Sequence, residues 1–242
     1  MKLEEEDLKI NWSNTFWYFV FFSILGLIIE TVYCYATMGI LESRKGLVWG
    51  PFCPIYGVGA SILIIVLSKY KNSYIKLFAY GAVLGDVIEY ILSYCMEALY
   101  GSRFWEYSYV NLNLNGRICI TYSIFWGILA VILIKIMKPL IDTILNKIKP
   151  NIKRVLEKTI LAFLMIDVLA TVWAVSTYET RAKQIYYGIQ NQQTEIEDVT
   201  AINKFKKYIE ENVFFNEKMK KTFPNIRFTN RDGQEIYIRD II

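Results

Sequence analysis

Four polar side chains share one face of a single apolar stretch. In "GDVIEYILSYCMEALY", Asp86, Glu89, Ser93 and Glu97 follow one another at spacings of three, four and four residues. At helical periodicity these positions fall within an arc of about 80°. Tyr90 and Tyr100 flank the same face. A charged side chain at the centre of a bilayer costs on the order of 2.5–3.5 kcal/mol. Acids repeated on one face of an apolar segment are therefore expected to look inward, toward counterions or a wet cavity. There they can hold a cationic group, a coupling proton or an arginine fork. Glu30 adds a further acid from a separate apolar block.

The cations that could answer these acids lie in two loops. Arg44 and Lys45 sit in "LESRKGLVWGP", and Arg103 and Arg117 in "GSRFWEYSYVNLNLNGR"; both loops also carry tryptophan and glycine. Glu97 and Glu30 are within the expected reach of these arginines, whereas Glu89 and Asp86 lie deeper. The segment "RKGLVWGPFCPIYG" is dense in backbone-bending residues, and Tyr56 stands near its end. Irregular backbone at membrane depth survives only where protein buries it or where it lines a cavity. The candidate binding set is therefore Glu30, Arg44, Tyr56, Asp86, Glu89, Ser93, Glu97, Arg103, Trp105, Tyr107, Asn113 and Arg117. The competing expectation is that acid–arginine pairs only tie helices and loops together. No catalytic residue, metal ligand set or cofactor is assigned. Asp167, alone in "AFLMIDVLATVW", is expected to pair with a base at a helix boundary or to hydrogen-bond Thr171 one turn on. Trp49, Trp105 and Trp126 fit an interfacial belt.

The elements that must position these groups are membrane helices. The chain has 242 residues, 54% of them hydrophobic and 16% aromatic, with the apolar residues in long blocks. Because about 20 apolar residues cross the hydrocarbon core, the pattern predicts about five spans, near 17–37, 51–67, 75–99, 118–137 and 159–178. The predicted fold is an all-α polytopic membrane bundle. A short segment, 1–16, precedes the transmembrane domain over 17–178, and a polar tail follows over 179–242. Within that tail Ile202, Phe205, Ile209 and Val213 fall at helical spacing. They predict an amphipathic helix docked on the membrane surface or on the rest of the protein. Asp232-Gly233 predicts a small hairpin. Lysines and arginines concentrate in the 68–76 and 138–158 loops, which places the N-terminus in the cytoplasm of a cell-membrane protein and the tail outside.

Composition also excludes. The sequence contains no histidine, which removes Ser-His-Asp and Cys-His nucleophiles, HExxH zinc sites and histidine-ligated haem. Cys34, Cys53, Cys95 and Cys119 show no metal-ligand spacing. A net charge of +4 with no basic stripe gives no reason to expect a nucleic-acid partner. The acidic start "MKLEEEDLKINWSN" is not expected to be a cleaved signal.

Three blocks, "RKGLVWGPFCPIYGVGA", "EYILSYCMEALYGSRFWEYS" and "NLNGRICITYSIFWG", resemble the signature blocks of the Putative ABC-transporter type IV family, the CmpB-like permeases. The resemblance rests on Arg44, Gly50, Pro51, Pro54, Ile55, Tyr56 and Gly57, then Glu89, Ser93, Glu97, Arg103, Trp105, Tyr107 and Ser108. Asn113, Gly116, Arg117, Ser123, Trp126 and Gly127 complete it, while Ser43, Trp49 and Glu106 depart from the family pattern. The resemblance implies a permease working with a separate ATPase, since this sequence has no GxxxxGK[ST] phosphate loop of its own. Expected partners are the bilayer, an ATPase subunit or further copies of the chain, and a small polar or amphiphilic solute. Alternatives are an intramembrane enzyme acting on a lipid-linked substrate and a non-catalytic membrane partner or sensor.

Overall fold

The computed structural model describes residues 11–100, 105–188 and 201–242, and it is mostly helical. The chain splits into two compact units. One comprises Met1–Gly26 and Pro54–Ile160, and the other Leu27–Cys53 and Leu161–Ile242. Helix α1, Trp12–Met38, contributes its first part to one unit and its second part to the other.

In the first unit α2, Pro54–Leu67, begins at a proline, whose missing N–H costs nothing at the first helical position. Helix α3 runs Tyr74–Tyr100 and carries the acids. A two-stranded ribbon follows, with β1, Asn113–Leu114, antiparallel to β2, Ile118–Cys119. Helix α4, Ile120–Ile132, passes through a π-turn at Leu133–Met137 into α5, Lys138–Lys147. Sequence pattern puts an end near Met137, ahead of Pro139, but the helix continues. A proline inside a helix removes one backbone bond and crowds the carbonyl four residues earlier. The π-turn just ahead of it widens the ladder and absorbs that residue. The core of this unit gathers Tyr18, Phe22, Leu63, Leu67, Leu77, Ala130 and Leu133.

In the second unit α6, Pro150–Tyr186, is longer than the apolar run within it. Helices α7, Ala201–Asn212, and α8, Asn216–Thr222, follow, then β3, Arg227–Thr229, antiparallel to β4, Glu235–Tyr237. Gly233 takes φ +78° in the turn between these strands, a conformation that favours glycine. Val48, Ala174, Tyr178, Phe214, Met219, Phe228 and Ile238 form the buried core. Ile209 and Val213 pack against it, whereas Phe205, expected on the same face, is 63% exposed. The Ile202 side chain lies outside the described residues.

Among the described residues, three helical stretches are long and apolar enough to cross a membrane: Trp12–Met38, Ile120–Lys147 and Pro150–Tyr186. Pro54–Tyr70 is apolar but shorter.

Candidate functional site

The acids of α3 meet three other elements of the first unit. Glu89 is buried, and each of its carboxylate oxygens accepts one hydrogen bond. Tyr107 donates its hydroxyl at 2.8 Å, and Trp126 donates its indole N–H at 2.9 Å. Trp126 reaches this position because Gly85, one turn before Glu89, has no side chain. A Cβ at Gly85 would collide with the Trp126 ring. Gly81 against Ala130 and Gly127 against Phe78 repeat the pattern, so α3 and α4 approach closely along a seam of small residues. Asp86 accepts from Ser123 of α4 at 2.7 Å.

Arg117 supplies the cation. It is buried, donates from Nη1 to Ser93 at 2.9 Å, and forms an ion pair through Nη2 with Glu97. Its guanidinium also stands 5.7 Å from the Tyr90 ring centre and 5.6 Å from that of Tyr94, within the range of cation–π attraction. The turn that presents Arg117 is encoded in "NLNGR". Asn113 accepts the Gly116 N–H through Oδ1 at 2.9 Å and donates to the Val110 carbonyl at 2.8 Å. Gly116 takes φ +67° and packs against Glu106 and Ser108, so a side chain there meets both strain and a clash. Trp105 caps the turn, its indole donating to the Arg117 carbonyl at 3.1 Å. Tyr107 stacks on Tyr122 at 4.7 Å. Burial, and then the Glu89 carboxylate beside it, push the Tyr107 phenol well above its ordinary range. The hydroxyl therefore persists as a donor.

Arg117 thus selects Glu97, and the deeper Glu89 and Asp86 are met by neutral donors. Of the remaining expected residues, Tyr56 on α2 lies against Gly26, and Asn113 builds the turn that presents Arg117. Glu30 and Arg44 belong to the second unit, where Arg44 lies 3.7 Å from Glu42. Arg103 lies outside the described residues. Trp126 and Ser123 fall outside the expected binding set. Their helical spacing resembles that of any core face, and their partners are 37 residues away in sequence.

The second unit holds the irregular segment in its own way. Asp167 of α6 is fully buried, and its two oxygens accept the backbone N–H groups of Trp49 at 3.1 Å and Gly50 at 2.9 Å. Thr171, one turn on, accepts the Val48 N–H at 2.9 Å and lies 3.5 Å from Asp167. Three successive backbone donors of "VWG" are thereby satisfied by one helix face, which solves the accounting problem that non-helical backbone faces in an apolar setting.

Apolar helices able to span a bilayer, with polar groups turned onto one another, define a membrane protein. The chain belongs to the family described as Putative ABC-transporter type IV, whose model matches residues 17–172. Family and helices together make it a membrane transport-related protein. No curated protein and no solved structure matches it.

Proposed function

We propose that this chain is the permease component of a transport system in the cell membrane. It crosses the bilayer five times with its N-terminus in the cytoplasm, α2 and α3 joining the three long apolar stretches. The outward face of α3 supports its place among the spans. Val83, Val87 and Ile91, spaced at four residues, are 61%, 48% and 54% exposed and suit lipid. At 14 residues α2 is about 21 Å long, short for a core of about 30 Å. A short 3-10 turn, Ser68–Tyr70, continues α2 within the same unit. Lys69, Lys71 and Lys76 on one loop, and Lys147, Lys149, Lys153, Arg154 and Lys158 around another, favour the cytoplasmic side for both. The tail from 179 onward then lies outside.

The observation that carries the binding role is the unequal hold on the two partners of the Arg117 pair. The Arg117 side chain is 8% exposed, but that of Glu97 is 36% exposed. A small polar or amphiphilic solute with an anionic group takes the place of Glu97 on the guanidinium, and the carboxylate released meets a cationic group or a proton. Glu89, with both oxygens occupied, orients the loop rather than binding the solute. Five spans are few for alternating access by one chain, so an ATPase subunit or further copies complete the transporter.

Native mass spectrometry of the protein in mild detergent tests this reading, with Arg117→Lys and Glu89→Gln alongside the wild type. A discrete bound species that folded Arg117→Lys loses and folded Glu89→Gln keeps supports it, because glutamine can hold both the Tyr107 and Trp126 partners. Three equally folded proteins with nothing bound would end it. A second reading, a latch with no ligand, draws on the full pairing of Glu89, and it gains if both variants fail to fold.

A further inference from the structure

Helix α7 has two working faces. Ile209, with Val213 just beyond the helix end, packs on the core of the second unit. The rest of the helix surface carries Phe205 and Tyr208, 63% and 60% exposed, together with exposed Lys204 and Lys207. Lys204 and Tyr208 stand one turn apart, and Phe205 adjoins them on the wheel. One exposed acid, Glu211, lies a turn beyond Lys207. Aromatic residues interleaved with lysines on an amphipathic helix are the composition of an interfacial segment.

The depth of this helix is set by contacts within the same unit. Phe214 follows α7, is buried, and meets Trp173 edge-on at 5.6 Å. Its carbonyl accepts from Arg181 at 2.7 Å, and the Glu210 carbonyl accepts from the other Arg181 nitrogen at 3.2 Å. Trp173 lies in the apolar run of α6, and Arg181 lies eight residues on, about 12 Å along the axis. The end of α7 is therefore pinned where α6 passes from apolar to charged sequence. Phe215, 43% exposed, continues the aromatic surface there.

We propose that this face lies in the headgroup layer and binds the anionic lipid surface. Phe205 and Tyr208 enter the boundary between headgroups and acyl chains, and Lys204 and Lys207 meet lipid phosphates. The occupant follows from charge and from place. The lysines require an anion, and the spanning helix to which α7 is tied brings the bilayer to the same level.

The test uses the full chain in vesicles, with a nitroxide on Tyr208→Cys in a Cys95→Ala background, since Cys34, Cys53 and Cys119 are buried. Collision with oxygen, which enters lipid, is compared with collision with a polar nickel chelate. One set of vesicles is phosphatidylcholine alone, and the other adds phosphatidylglycerol. Oxygen collisions should dominate, and more so with phosphatidylglycerol. Lys204→Gln with Lys207→Gln should remove that lipid dependence and lower the phosphatidylglycerol retained on purification roughly twofold or more. Dominant nickel collisions in both vesicles would place the face in water and overturn the proposal. A label reached by neither reagent would mean that protein covers the face, and equal oxygen access in both vesicles would remove the anionic lipid; either also overturns it. Phe205→Cys repeats the measurement if the first variant does not fold.

Discussion

Glu89 shows what a buried carboxylate requires at the scale of one residue. Its two donors come from a loop and a neighbouring helix, so removing the carboxylate strands two polar groups at once. Each stranded buried group costs about 1–3 kcal/mol. Glu89→Ala should therefore lower stability by about 2–6 kcal/mol. Glu89→Gln should cost much less, because its carbonyl can accept from Trp126 while its amide donates to the Tyr107 oxygen. Unfolding midpoints in detergent check the order, and equal losses would refute the two-donor account. Asp167 invites the same comparison through backbone donors. Asp167→Ala leaves the Trp49 and Gly50 N–H groups without their acceptor, again about 2–6 kcal/mol, and Thr171→Val leaves that of Val48, about 1–3 kcal/mol. Protease sensitivity of the 44–53 segment should rise in both variants. Arg117→Lys keeps the charge but gives up the planar fork that reaches Ser93 and Glu97 together, so it should not restore the wild-type stability.

Between elements, the seam of α3 and α4 decides whether these residues meet at all. Gly85 gives Trp126 its path to Glu89, and no larger residue fits there without moving the indole. Gly85→Leu should separate the helices at the cost of the Trp126 bond and about 1–3 kcal/mol or more of overpacking strain. Gly59→Ala makes a control, since a Cβ there meets nothing within 4 Å. In a helix interior it should be neutral or stabilise by about 0.5–1 kcal/mol. A thermal shift for Gly85→Leu no larger than for Gly59→Ala would mean that the seam does not position Trp126.

For the whole molecule the expectation with most reach is orientation. With the N-terminus inside and five spans, the Asp232–Gly233 turn of the tail and the Lys71 loop lie on opposite sides of the membrane. In a Cys95→Ala background, a membrane-impermeant maleimide added to intact cells should label Asp232→Cys and leave Lys71→Cys unlabelled until the membrane is opened. Labelling of Lys71→Cys alone would invert the chain. Labelling of both would place them on one side and require an even number of crossings between them.

Some of this was determined by the sequence alone. Helical spacing is a property of consecutive residues, so the shared face of Asp86, Glu89, Ser93 and Glu97 is readable from the chain, as are the long apolar runs and the tail hairpin turn. The family blocks were readable for the same reason, being local strings. Partners were not. Arg117 could have paired with either Glu30 or Glu97 by loop reach, and only the ribbon's turn geometry selects Glu97. Asp167 grips backbone 118 and 117 residues away, and backbone N–H groups leave no mark in the residue types that satisfy them. The passage of a helix through Pro139 depends on a π-turn, and the split of α7 into a core face and an exposed aromatic face depends on what packs against it. Tertiary structure decided those points because they are contests between distant groups for one place, and distance along the chain does not rank the contestants.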